Sequence, residues 1–286
     1  MDLTRVIGLG VAGNFAGHLE QAGEAESFKD VKTADARAPK AVFPFYLPAP
    51  GGRMADSFLK VFPLTSEEIR IPQDEPDACL QTEPEVGILA RIQYNGDHKV
   101  TGLIPEYFGA YNDCSIRRPG PVKISTKKNW GPGTKGLSAN LIRIDSFSSA
   151  GNIAGYRIAS FLKRDGVIHE YGIDSAVKDY SYMYEELLYW ITERMNNQQD
   201  EGPRENISEY LALSNWPEYA VISIGATRYT PFGEKGYLKE GDISYVVLYP
   251  SGMSRSEIMG LLRSDSAREW ERFKSISLLR QEVRRG

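Results

Sequence analysis

The chain has 286 residues, of which 41% are hydrophobic and 25% charged, and its formal net charge is −4. This length allows a complete hydrophobic core, and the composition is that of a globular protein. The acidic balance offers no basic surface for a nucleic-acid backbone, and no apolar run reaches the roughly 18–20 residues of a membrane span, so nucleic-acid and membrane partners are not expected.

Compartment and redox state follow from two further features. The sequence begins without the basic-then-apolar pattern of a signal peptide, which predicts a cytoplasmic protein. Cys79 and Cys114 are too few for a disulfide framework and lack the spacing of a metal site. Both are therefore predicted to be reduced thiols.

The first half of the chain is dominated by predicted strands. A short strand over 3–9 leads through a glycine-rich turn, 8–23, into a helix around His18. Residues 38–50 are rich in proline and aromatic residues, which predicts extended structure. Hydrophobic segments bounded by turn residues then predict five strands, at 85–94, 100–110, 137–144, 156–162 and 167–171.

Two turn sequences predict antiparallel hairpins. Asn95-Gly96-Asp97 supplies the positive φ of a type I′ turn, and Arg164-Asp165-Gly166 is a second such turn.

The second half of the chain adds helices to the predicted strands. Leu187, Ile191 and Met195 recur at helical spacing and predict a helix over 182–195. The remaining predictions are an exposed loop or insertion over 196–209, strands over 219–225 and 243–249, and two helices within 254–283.

A glycine pattern near the start suggests nucleotide binding. Gly8, Gly10 and Gly13 form the G-x-G-x-x-G of a dinucleotide-binding turn, between strand-like and helical segments. That mechanism also needs a parallel βαβ unit with an acidic residue about 20 positions further on, which residues 30–50 do not supply. An NAD-binding oxidoreductase is therefore kept as a minor alternative to a simple flexible turn.

Three carboxylates form the more specific pattern. Glu83 and Glu85 open a predicted strand, where residues two apart share one face, so both can reach one ion. Asp113 follows a separate strand and offers a third oxygen ligand. Oxygen ligands with positions left open for water and substrate suit Mg²⁺ or Mn²⁺ better than zinc. Glu83 and Glu85 taken alone are also typical of a solvated strand edge.

The order of these residues resembles the fumarylacetoacetate hydrolase family. Members carry E-x-E, then N-D-x-S-x-R, then a lysine between glycines. This chain has Glu83-Pro84-Glu85, followed by N-D-C-S-I-R at 112–117 and G-T-K-G at 133–136. The likeness extends from about residue 5 to residue 250, including a lid segment with His18, I-G-A-T at 224–227 and L-K-E-G-D at 238–242.

The resemblance implies a role for each matching residue. Glu83, Glu85 and Asp113 would hold Mg²⁺ or Mn²⁺, which acts as a Lewis acid on the substrate. Lys135 would stabilise the enolate through its charge, and Arg117 and Thr227 would bind the substrate. Arg117 has a structural interpretation of nearly equal weight, and Ala226 interrupts the family's Gly-Thr pair before Thr227.

The lid departs from the family at one position. His18 matches a lid histidine that the family pairs with a glutamate three residues later to activate water. Gln21 stands at that position here, and glutamine cannot accept a proton. His18, Gln21 and the adjacent Glu20 are kept as candidate catalytic residues, and the departure favours decarboxylation or tautomerisation over hydrolysis. Arg118 replaces the aspartate that many relatives carry after the arginine.

These observations predict an α+β protein whose centre is a mixed, mostly antiparallel β-roll of the fumarylacetoacetate hydrolase type, with peripheral helices. The predicted parts are an N-terminal segment with a lid (1–65), a β-roll core (66–250) and a helical tail (251–286). The expected activity is that of a metal-dependent hydrolase or lyase acting on a small oxo-acid through a metal-stabilised enolate. A non-catalytic binding protein of the same fold is the alternative, and the resemblance implies a homodimer.

Overall fold

The computed structural model describes residues 1–28, 31, 35–118, 123–264, 270 and 272–285. In chain order the strands are β1 (Ile7–Ala12), β2 (Ala41–Tyr46), β3 (Leu64–Thr65), β4 (Glu68–Ile71), β5 (Leu80–Gln81), β6 (Pro84–Tyr94), β7 (Val100–Asn112), β8 (Ser115–Ile116), β9 (Lys135–Leu137), β10 (Ile142–Arg143), β11 (Tyr156–Arg164), β12 (Val167–Ala176), β13 (Tyr219–Ser223), β14 (Ile243–Pro250) and β15 (Ser277–Arg285). The helices are α1 (His18–Gln21), α2 (Tyr184–Asn197), α3 (Ile207–Leu213), α4 (Pro231–Lys235) and α5 (Arg255–Ser264).

Two sheets make up most of the described structure. The larger has the order β2-β1-β13-β6-β7-β9-β3, with β10 also paired to β7, and the smaller has the order β12-β11-β14-β15-β4. Most neighbouring strands are antiparallel, but three pairs are parallel: β1 with β13, β3 with β9, and β15 with β4. The predicted mixed, mostly antiparallel β-roll with few helices is confirmed.

One hydrophobic core joins the two sheets. Ile88 on β6 and Phe108 on β7 belong to the same buried cluster as Ile158 on β11 and Leu248 on β14. The cluster continues onto Leu187 of α2, which packs on β7. Burial of these side chains fixes how the sheets lie on each other, and therefore where the strand ends that carry polar residues meet.

Both predicted hairpins form, but their turns differ. Asp165 and Gly166 have φ values of 51° and 78°, as a type I′ turn requires. In the other hairpin the residue with positive φ is His98 (57°), not Gly96. The Asn95 side chain accepts hydrogen bonds from Asp97 N and Lys99 N, which stabilises a longer loop than the predicted two-residue turn.

The glycine pattern near the start is not a nucleotide-binding turn. Gly8 and Gly10 lie inside β1, and the next strand, β2, is antiparallel to β1 rather than parallel. A Cβ added to Gly8 would come within 2.2 Å of the Phe45 ring, and one added to Gly10 within 2.2 Å of the Phe43 ring. Gly8 and Gly10 make room for aromatic side chains of β2, so this pattern gives no support to NAD binding.

The chain after residue 254 was predicted to form two helices, and α5 is the first of them. Trp270 is helical, but residues 265–269 and 271 lie outside the described part, so the second helix stays a prediction. Residues 277–285, which the prediction also took as helical up to residue 283, form the strand β15 instead. Burial alternates along β15, because Ser277, Leu279, Gln281 and Val283 face inward. The tail is therefore not wholly helical, and it supplies a strand of the smaller sheet.

The segments before and after the predicted core contribute strands to the same two sheets. Residues 1–65 contribute β1 and β2 to the larger sheet, and residues 251–286 contribute β15 to the smaller one. The division into three parts stays a prediction.

Cys79 and Cys114 are both free, as predicted. Among the residues described, no helix combines the length and the apolar character that crossing a bilayer demands.

Candidate active site

Three buried carboxylates meet where the start of β6 lies beside the end of β7. Antiparallel pairing sets Pro84 opposite Asn112, so Glu83 and Glu85 lie next to Asp113. Asp113 N donates to Glu83 O at 3.0 Å. One oxygen from each carboxylate lies within 4.8 Å of the other two, and all three residues are at most 4% exposed. The structure thus brings together the carboxylate triad that the sequence predicted.

A chain of hydrogen bonds from β15 holds this strand junction. Glu68 O accepts from Gln281 Nε2 at 2.9 Å, and Gln281 Oε1 accepts from Asn112 Nδ2 at 3.0 Å. Asn112 Oδ1 in turn accepts from Glu83 N at 3.1 Å. The amide side chains of Asn112 and Gln281 are both fully buried. The smaller sheet therefore positions the backbone of the triad in the larger one.

Two buried lysines contact the triad. Lys128 Nζ lies 2.8 Å from Glu83 Oε2 and 2.5 Å from Asp113 Oδ2. Lys135 Nζ lies 2.9 Å from Asp113 Oδ1 and also donates to Cys114 O. Lys135 was predicted from the family pattern, whereas Lys128 was not. The triad is thus flanked by two ammonium groups with almost no solvent access.

Arg117 links the triad to the lid. Its Nη2 lies 2.7 Å from Glu83 Oε1 and 3.0 Å from the Tyr229 hydroxyl, and its Nε donates to Gln81 Oε1 at 2.6 Å. Its Nη1 contacts Glu24 in the lid segment, and Lys127 contacts the same Glu24 oxygen. Glu24, whose side chain is 12% exposed, is a carboxylate that the sequence did not single out as a site residue.

His18 lies at the start of α1 and points into the site. Its Nδ1 is 2.9 Å from Thr227 O, and because a carbonyl only accepts, Nδ1 must carry the proton of this hydrogen bond. Its Nε2 lies 4.0 Å from Glu83 Oε2. Burial lowers the pKa of His18, against the opposing influence of Glu83. A neutral His18 therefore turns an unprotonated Nε2 toward the triad.

The other lid candidates are placed differently. The side-chain amide of Gln21 binds the Tyr229 backbone with both polar atoms: Oε1 accepts from Tyr229 N at 2.9 Å, and Nε2 donates to Tyr229 O at 3.2 Å. Glu20 is exposed and makes no part of the buried site. The Thr227 hydroxyl donates to Pro84 O at 3.3 Å. Gln21 and Thr227 thus fasten the lid and the strand ends, while Glu20 does not meet the other candidates.

The cavity at the centre of these residues is small. Its volume is about 20 Å³, and its walls include His18, Phe43, Glu83, Asp113 and Lys128. A space of this size holds roughly one water molecule or one ion. A molecule larger than this can enter only if the residues around the cavity move.

The residues present fit a divalent cation. Among the described residues, three buried oxygens of the triad receive no aligned hydrogen bond, namely Glu83 Oε1 and both carboxylate oxygens of Asp113. The lysines and Arg117 contact them as ion pairs instead. Burial raises the pKa of Glu85 well above its usual range, and Asp113 and Glu83 raise it further. An all-oxygen donor set with this much negative charge suits Mg²⁺ or Mn²⁺.

The turn that carries Lys127 and Lys128 is anchored by Glu205. Ser125 Oγ donates to Glu205 Oε1 at 2.7 Å, and Ser125 N donates to Oε2 at 3.4 Å. Glu205 lies in the segment 196–209 that was predicted to be an exposed loop, yet it is only 2% exposed. Burial raises the pKa of Glu205 to about 7 from its ordinary 4.5.

Glu205→Gln is therefore expected to stabilise the protein at pH 8 but not at pH 5. Between about pH 4.5 and 7 the folded protein keeps a proton that the unfolded chain has released, so stability falls as the pH rises. The gain at pH 8 is at most about 3 kcal/mol, measured by urea denaturation at both pH values. An equal difference between the variant and the wild type at pH 5 and pH 8 would contradict a protonated Glu205.

Solved structures with this fold belong to the fumarylacetoacetate hydrolase family. A yeast protein of that family, ynq8, aligns at a TM-score of 0.54 and 12% identity, over 99% of this chain and 95% of its own. The apo form of a 2-keto-3-deoxy-D-arabinonate dehydratase aligns at 0.51 and 14% identity, over 98% of this chain and 73% of its own. The predicted resemblance is thus confirmed as a shared fold.

The sequence itself places the chain in a more specific group. Residues 24–283 match a model described as "Family of unknown function (DUF5718)", and the chain belongs to that family. Among curated proteins, no sequence matches the chain. The chain is therefore a DUF5718 protein with the fold of the fumarylacetoacetate hydrolase family.

Proposed function

We propose that this protein is a divalent-metal-dependent enzyme acting on a small oxo-acid. The observation that carries the proposal is the carboxylate triad, in which three buried oxygens lack aligned hydrogen bonds and lie beside Lys128, Lys135 and Arg117. Two relatives in fold support it by their names, one as a dehydratase of a 2-keto acid and one as a fumarylacetoacetate hydrolase family protein.

Each residue has a role that its contacts support. A divalent ion held by Glu83, Glu85 and Asp113 would supply Lewis-acid stabilisation to an oxo-acid that is losing a proton or a carboxylate group. Lys135 would place a fixed positive charge beside the developing enolate. Arg117 would pair with a substrate carboxylate through its guanidinium group. His18 would accept or return a proton at Nε2.

The lid chemistry favours decarboxylation or tautomerisation over hydrolysis. Hydrolysis by the dyad of the family needs a glutamate to assist the lid histidine, and Gln21 cannot take up a proton. Gln21 also uses its side-chain nitrogen and oxygen on the Tyr229 backbone, which fixes the orientation of its amide. Among the residues that the structure describes, His18 is a neutral base directed at the triad.

One observation favours a second candidate, a non-catalytic binding protein. The central cavity of about 20 Å³ has no room for an oxo-acid, and several hydrogen bonds and ion pairs hold the lid closed over it. Turnover measured with oxaloacetate, acylpyruvates and fumarylpyruvate in the presence of Mg²⁺ or Mn²⁺ separates the candidates. Product formation supports the enzyme, and its absence across all of these substrates supports the binding protein.

Millimolar Mg²⁺ or Mn²⁺ is expected to raise the thermal stability of the wild type and not that of Glu85→Gln. A ligand at 100 times its dissociation constant stabilises the native state by about 2.7 kcal/mol. Glutamine at position 85 can still accept from Gly225 N, as Glu85 does at 2.8 Å, so the variant is expected to fold. Differential scanning calorimetry gives the measurement.

Glu20→Gln is the matched control, because it removes an exposed carboxylate of the lid outside the triad. It should retain the full metal-dependent rise in melting temperature. An equal rise in Glu85→Gln would mean that the ion binds elsewhere, and no rise in the wild type would count against the metal site.

A further inference from the structure

Carboxylates and cations are closely paired around the central cavity. Glu83, Asp113 and Glu24 are in direct contact with four cations, Arg117, Lys127, Lys128 and Lys135, whereas Glu85 accepts a hydrogen bond from Gly225 N. These are residues of the described part of the chain, and all are buried or nearly so. A divalent ion therefore adds two positive charges to a region that already holds these four cations and has little solvent to screen them.

Lys128 occupies a special place among these cations. Its ammonium group bridges two of the three proposed metal ligands, at 2.8 Å from Glu83 Oε2 and 2.5 Å from Asp113 Oδ2. Lys135, by contrast, contacts Asp113 alone within the triad. A divalent ion bound to Glu83 and Asp113 would lie against the Lys128 ammonium, and two cations at that separation repel strongly.

We infer that Lys128 is an internal counter-ion that a divalent cation must displace, and that its displacement couples metal binding to the binding of a dianionic oxo-acid. The inference rests on the proposed function, since it assumes that the triad is the metal site. It assigns Lys128 a positioning role that the family pattern, which accounts for Lys135, does not include.

The surroundings of Lys128 determine how it moves. The Ser125–Glu205 hydrogen bonds anchor the preceding turn, so the side chain must rotate while the backbone stays in place. The Phe43 ring centroid lies 5.3 Å from Nζ and bounds the cavity on that side. Displaced Lys128 remains near the cavity, where it and the metal together favour a ligand that brings two negative charges.

The test is the affinity for Mn²⁺, measured by isothermal titration calorimetry on the whole protein. Lys128→Met is expected to bind Mn²⁺ at least about tenfold more tightly than the wild type, because no fraction of the molecules is then blocked by the ammonium group. Lys127→Met is the matched control: it removes a buried cation from the same turn, but one that contacts Glu24 rather than the triad. Its affinity should change by less than about threefold.

The coupling is tested with oxalate, a dianion, and pyruvate, a monoanionic oxo-acid, with free Mn²⁺ corrected for complexes formed in solution. Oxalate should strengthen Mn²⁺ binding to the wild type by about tenfold or more, and pyruvate by less.

A second variant serves if Lys128→Met does not fold. Lys128→Gln keeps a hydrogen-bond donor between Glu83 and Asp113 but removes the positive charge, and it is then measured in place of Lys128→Met.

The outcomes separate the inference from the proposed function. Equal Mn²⁺ affinity in the wild type and the Lys128 variants would overturn the role of Lys128 while leaving the metal site intact. Equal effects of oxalate and pyruvate would overturn the preference for a dianion. If no form of the protein binds Mn²⁺, even with oxalate present, the proposed function fails together with the inference.

Discussion

Asp113→Asn is expected to destabilise the metal-free protein by about 3–5 kcal/mol, as the loss of one partner from a buried ion pair does. Asp113 is the common partner of Lys128 and Lys135, which are 3% and 0% exposed. Asparagine preserves the shape of the side chain but leaves both ammonium groups without this carboxylate. Urea denaturation in the presence of a chelator measures the change in the free energy of unfolding.

Two variants show whether the loss comes from unpaired charge. Adding Lys128→Met to Asp113→Asn should recover part of the stability, because the double variant removes one of the stranded cations. Glu20→Gln, at an exposed position of the lid, should change the free energy of unfolding by less than about 0.5 kcal/mol. A loss below about 1 kcal/mol in Asp113→Asn would show that water reaches these lysines.

His18→Asn is expected to lower kcat by about 10²- to 10⁴-fold, the range typical of a lost general base. Asparagine can still donate to Thr227 O, so the lid should close as before, but it offers no basic nitrogen to the substrate. Steady-state kinetics on whichever oxo-acid the wild type turns over, together with a melting curve, separates chemistry from folding.

The matched control for this prediction is His98→Asn. His98 lies in the β6–β7 hairpin and stacks on Trp216 outside the site, with ring centroids 4.0 Å apart. Its replacement should leave kcat unchanged. If His18→Asn raises KM while kcat stays within about threefold, His18 holds the lid or the substrate and does not transfer the proton.

The sequence predicts the triad because its signal is local. Glu83 and Glu85 are two residues apart at the start of a strand, and Asp113 directly follows the strand that pairs with it, so ordinary hairpin geometry brings them together. Lys128 and Glu24 have no such signal. They reach the site from a short turn and from the lid, and only the packing of these segments on the sheet makes them neighbours.

The strand β15 was missed for a different reason. Its inward-facing residues include Ser277 and Gln281, so the alternation along the chain is not one of apolar and polar side chains. Both are satisfied by hydrogen bonds: Ser277 Oγ accepts from Ala110 N at 2.9 Å, and Gln281 pairs with Asn112. A buried polar face of this kind is stable only with partners that a single sequence does not reveal.

Because the triad depends on Gln281, near the end of the chain, its geometry is completed late in folding. Asn112 and Gln281 are separated by 169 positions along the chain. Contacts between such distant residues form late in folding, and domains assemble as the ribosome releases them. A nascent chain that ends before Gln281 leaves Asn112 without its partner, so Glu83 is not yet fixed. Refolding protein is accordingly expected to regain Mn²⁺ binding only after most of its β-structure has formed.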